Sequence, residues 1–101
     1  MKNIMTCEIR IANQNDVPEI SSIHVQMIPY GFLTQLGAPF LNIIYEGIIQ
    51  SSNSIIFVFV ADKKIVGFSS ASMDIAKTYR SIISKNPIKI FRALMPFLLK
   101  R

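Results

Sequence analysis

Two apolar stretches, Ile55–Ala61 and Ile65–Met73, flank the tripeptide Asp62-Lys63-Lys64. The first reads IIFVFVA, β-branched and aromatic with no charge. Such residues favour extended backbone. The run is far shorter than the ~18 apolar residues that a membrane-crossing helix requires. Ser51-Ser52-Asn53-Ser54 closes it off on the N-terminal side. The two stretches therefore read as the arms of a β-hairpin, with Gly67 inside the return arm. Because Ile55–Ala61 lacks polar alternation, it is expected to be buried on both faces. The rest of the chain has to supply that cover.

The flanking patterns indicate how. Cys7, Ile9 and Ile11 alternate with Glu8 and Arg10, the period of a half-buried strand, and place Cys7 inward as a small hydrophobe. Asn13-Gln14-Asn15 is a turn. Asp16 stands three residues before Glu19, a capping-box spacing, with Pro18 tolerated in a first helical turn. Val17, Ile20, Ile23, His24, Met27 and Ile28 fall on one stripe of that helix, and Pro29 ends it. A second helix starts near Pro39, and its apolar residues from Phe40 to Ile49 cover more than half its circumference, as in a helix wedged between two partners. Asp74 and Asn86-Pro87 mark the starts of two more helices, with Pro96 expected to kink or fray the last. The expected class is α/β (α+β), in the order β-α-α-β-β-α-α, with an antiparallel sheet and helices on both sides.

The chain has 101 residues, half of them hydrophobic and 17% charged. A small domain has much surface for its volume and needs more polar residues than this. The apolar excess is therefore expected to be covered by something further, or to serve a purpose where it is exposed. The net charge of +5 is uneven. Lys77, Arg80, Lys85, Lys89, Arg92, Lys100 and Arg101 all lie in 75–101, which holds no acid. The lone cysteine excludes an internal disulfide and a thiolate metal cluster within one chain, as fits a reducing cytoplasm. Glu8 and Arg10 interrupt any secretory signal.

Three segments together resemble the opening half of the GCN5-related N-acetyltransferase (GNAT) family. "CEIRIANQNDVPEISSIH" is similar to the first strand and helix, "GFLTQLGAPFLNIIYEGI" to the joint between the first two helices, and "IIFVFVADKKIVGFSSASMD" to the second and third strands. The resemblance spans residues 7–74 and implies an acceptor-side scaffold there, with 75–101 a basic helical insertion or tail. In the family the joint lines the acceptor pocket, so the resemblance implies substrate contacts from Tyr30, Gly31, Phe32 and Leu33, and from Ser70 on the third strand. It implies acetyl-CoA as co-substrate and a small-molecule or peptide amine as acceptor. The family's coenzyme A pyrophosphate loop is glycine-rich and opens a helix, where orphan N–H groups favour phosphate. Gly31, Gly37, Gly47 and Gly67 are the only glycines, and none have that spacing. The chain thus looks like an N-terminal half that ends before the cofactor site, inactive alone, with no cofactor-binding residue and no assigned catalytic residue.

Each candidate also has a plainer reading. Phe32, Leu33 and Leu36 can simply plug the helices onto the sheet. His24, the only histidine, reads as a packed, hydrogen-bonded core residue before it reads as a base. Ser69, Ser70 and Ser72 suit a solvent-facing strand edge, and Asp74 a helix cap. A non-enzymatic alternative uses the edge of residues 65–73 for strand pairing, as in a homodimer, and a basic amphipathic tail helix against a partner or membrane surface. Of these surfaces a membrane is the weaker reading, and nucleic acid is not expected, since no stacking aromatics are interleaved with the basic residues.

Overall fold

In the computed structural model, which describes residues 6–99 except the side chains of Phe32, Phe97 and Leu98, the hairpin sits at the centre of the architecture. β2 (Ser54–Ala61) turns into β3 (Lys64–Ser72) through Asp62 and Lys63, both left-handed at φ 52° and 70°. A two-residue turn with positive φ at both positions matches the right-handed twist of the strands it joins. Asp tolerates that conformation through local hydrogen bonding, whereas Lys63 is held in it by the turn. β1 (Cys7–Ile11) pairs with the other side of β2, giving an antiparallel sheet in the order β1-β2-β3. Phe59 pairs with Gly67 and Val60 with Ile65, so Val66 is an extra residue, a bulge on the edge strand.

The start of α1 (Val17–Met27) departs from expectation. The capping box is made three residues earlier: Asn13 caps the short 3-10 turn Gln14–Asp16, and the Asp16 carboxylate accepts the Asn13 N–H at 2.8 Å. Asp16 makes no side-chain cap for α1. Arg10 on β1 claims its carboxylate through two bonds of 2.8 and 3.0 Å. A charge-assisted fork outcompetes a single neutral N–H. After one helical turn, α2 (Phe32–Gln35), Gly37 at φ 97° redirects the chain into α3 (Ala38–Gln50). α4 (Ile75–Lys85) starts where Asp74 accepts the Lys77 N–H at 3.0 Å, the cap the sequence suggested. α5 (Pro87–Leu99) runs through Pro96. Lys100 and Arg101 of the basic tail lie outside the described residues.

The core lies between one face of the sheet and the helices. α1 packs on β3 and on α3, and α3 packs on β2, α4 and α5. Val17, Ile20, Leu41, Ile44, Ile56 and Val58 are almost fully buried there. The other face is bare: Ile9 is 67% exposed, Ile11 60% and Phe57 38%. Two expectations fail together. β2 is not buried on both faces, and the helices do not lie on both sides of the sheet. Strand geometry sends Ile56 and Val58 one way and Phe57 the other. The tail helices pack on α3 and leave Phe57 uncovered. Gly47 explains this in part, since its missing side chain lets Ile82 of α4 press onto the α3 backbone. Cys7 is exposed rather than inward, because it pairs with Ala61 on the bare face.

Candidate functional site

Tyr30, Gly31 and Leu33, in the joint between α1 and α3, do not line the cleft between α1 and β3. Tyr30 is 91% exposed. Gly31 caps α2, and the Phe32 side chain lies outside the described residues. Leu33 is half-buried against the core and Leu36 is buried, which is the plug reading of that loop.

The concavity with chemistry in it lies one element away, between the C-terminal half of α1 and the edge strand β3. This cleft of about 430 Å³ is lined by Ile23, His24, Met27 and Ile28 from α1 and by Val66–Ser70 from β3. Of the sequence-predicted contact residues described, only Ser70 belongs to it. Two facts of sequence build it. The apolar stripe of α1 overruns the sheet, leaving Met27 74% and Ile28 50% exposed. β3 is the last strand in the sheet order, so its backbone borders the cleft without a strand partner among the described residues.

His24 closes the floor. It is 8% exposed, and its Nδ1 lies 2.6 Å from the Tyr45 hydroxyl oxygen on α3. Tyr45 in turn meets Phe68 edge to face, with ring centroids 5.4 Å apart. Burial lowers the His24 pKa from its ordinary value. Burial, with Tyr79 contributing, pushes the Tyr45 phenol up to about 12. Both groups are therefore neutral at neutral pH. His24 is the packed, hydrogen-bonded histidine that its stripe position implied, and it also faces a cleft. Residue pattern does not mark Tyr45 as its partner, because both lie on apolar stripes of separate helices.

The other polar clusters are structural. The hydroxyls of Ser54, Ser72 and Thr78 bond one another at 3.0–3.2 Å and tie the start of α4 to the end of the sheet. Among the described residues no three His, Cys, Asp or Glu side chains are grouped to hold a metal. Lys77, Arg80, Lys89 and Arg92 are exposed. No described helix is long and apolar enough to cross a membrane. No family model, curated protein or solved structure matches the chain.

Proposed function

We propose that this chain forms the acceptor side of a GNAT-type N-acetyltransferase. The supporting observation is the α1–β3 cleft, which is apolar, floored by a neutral imidazole, and open along a free strand edge. An amine bound there as the free base attacks the thioester carbonyl of acetyl-CoA. The C–N bond forms, the oxyanion collapses, the C–S bond breaks, and the proton that the acylated nitrogen gives up ends on the thiolate. The donor is a substrate held by other residues. The glycines here sit at the N-caps of α2 and α3, at a helix–helix contact and in a strand, at spacings unlike the family's pyrophosphate loop.

The test is release of free thiol from acetyl-CoA with a panel of amines, on the native gene product and on the 101-residue chain. Amine-dependent release is expected from the former and none above buffer from the latter. Absence of amine-dependent release from the native gene product rejects the reading.

A second reading has its own observation. β3 is nine residues long, contains no proline, and carries Lys64 as its only charge. Beyond Lys64 and the bulge at Val66, such an edge carries no guard against strand addition from Gly67 to Ser72. Self-pairing through it gives a homodimer by sedimentation that Ser70→Pro, at a position whose N–H faces the free edge and not Phe57, returns to monomer. A monomer at all concentrations rejects this alternative.

A further inference from the structure

The α1–β3 cleft contains no carboxylate in its lining, so nothing there pairs with a cation. Its polar side chains are His24, Ser69 and Ser70. The position of the His24 proton follows from counting hydrogens. A neutral imidazole carries one N–H and a neutral phenol one O–H, and the two rings meet at a single contact, Nδ1 to the Tyr45 oxygen at 2.6 Å. If Nδ1 held the proton, the Tyr45 hydrogen would be left unpaired at a buried site, an arrangement that costs ~1–3 kcal/mol. If Tyr45 donates to Nδ1, both groups are satisfied and the ring proton sits on Nε2. Nε2 has no partner among the described residues, and it belongs to a side chain more than nine-tenths buried that lines the cleft.

We propose that the cleft binds a ligand carrying a carbonyl oxygen, which accepts a hydrogen bond from the Nε2–H of His24 while Ile23, Met27 and Ile28 cover the ligand's hydrocarbon part. In the transfer reaction, and resting on that reading, the acceptor is an amine with a neighbouring carbonyl, as in an amino-acid amide or a peptide N-terminus. His24 is then a binding residue and not the base, because its cleft-facing nitrogen already holds a proton. Tyr45 positions it.

Two amines that differ by one group test this: leucinamide, and isoamylamine, which has the same hydrocarbon and amine but no carboxamide. Long-range proton–nitrogen correlation on the isotope-labelled chain reads the His24 tautomer directly. The expected result is a protonated Nε2, whose signal leucinamide shifts saturably. With each affinity expressed per free base, since the carboxamide also lowers the amine pKa, leucinamide is expected to bind about tenfold more tightly than isoamylamine, the discrimination of one hydrogen bond. His24→Phe is expected to abolish the difference between the two amines, whatever it does to the affinity they share. A proton on Nδ1, equal affinity for the two amines, or binding of neither overturns the proposal. Leucinamide binding without acetylation by the native gene product keeps the oxygen site and removes the transferase reading. Equal binding with acetylation does the reverse.

Discussion

The Tyr45 hydroxyl and Nδ1 of His24 meet at 2.6 Å across the seam between α3 and α1, and both side chains are buried. Tyr45→Phe keeps the ring against Phe68 and deletes only the hydroxyl. Nδ1 then becomes a buried polar atom without a partner. The expected loss is ~1–3 kcal/mol of folding stability. Urea unfolding checks this, through a lower midpoint at unchanged slope.

Arg10 and Asp16 give the fold an acid-sensitive joint. The Arg10 hydrogen bonds, opposed by burial and helped by the Asn13 N–H, hold the Asp16 carboxyl below its ordinary value of 3.8. A depressed folded pKa contributes stability that is fully present above the unfolded value and is lost as pH falls through the folded one. Asp16→Asn is therefore expected to destabilise by ~1–3 kcal/mol near neutrality. The gap between variant and parent should close below pH 3.8, the ordinary carboxyl value. Thermal melts of both chains across that range give the measurement.

Gly47→Ala sets two effects against each other. Helix propensity favours alanine by ~1 kcal/mol. The new Cβ, however, would overlap Cγ1 of Ile82, which is 3% exposed and has nowhere to go. Overpacking of that kind costs ~1–3 kcal/mol, so the net change is a loss. In an Ile82→Ala background, which removes both Cγ atoms and Cδ1, Gly47→Ala should cost less than in the parent. A double-mutant cycle reads that coupling.

Thr78 is 2% exposed, and its hydroxyl contacts Ser54, Ser72 and the Asp74 carbonyl. Thr78→Val preserves shape but leaves those groups short of a partner, with an expected loss of ~1–2 kcal/mol. Thr78→Ser keeps the hydroxyl and should retain most of the stability. Hydrogen exchange is expected to localise the loosening to α4.

The hairpin, both long helices, the Asp74 cap and the last helix were legible from residue pattern alone, because each depends on neighbours close in sequence. The side of the sheet that α4 and α5 cover was not. Ile75, Ile82 and Ile83 show that α4 has an apolar stripe, yet only the contact of Ile82 with Gly47 decides what the stripe meets. The cap at Asp16 was misplaced for a related reason: Glu19 matched the spacing, but Arg10, on another element, took the carboxylate. His24 was visible as an inward residue. Its partner, and the cleft it floors, come from three elements that converge only after folding. The joint carrying Tyr30 and Leu33 was read as substrate wall on resemblance, whereas in the fold Tyr30 projects into solvent and Leu33 packs inward.

The tip of the hairpin also holds the beginning of β1. Asp62 donates its N–H to the Thr6 carbonyl at 2.8 Å, and its side chain accepts the Thr6 N–H at 3.1 Å. The turn needs only its own neighbours to form, whereas β1 is separated from β2 by α1, α2 and α3 and pairs against the entropy of closing a long loop. A two-point clasp on the early-forming element thus awaits the late-arriving strand and sets its register. β1 is accordingly the strand whose amides should exchange first, and Asp62→Gly, which keeps the left-handed turn and deletes the side-chain half of the clasp, should open that exit while leaving the β2–β3 ladder shut.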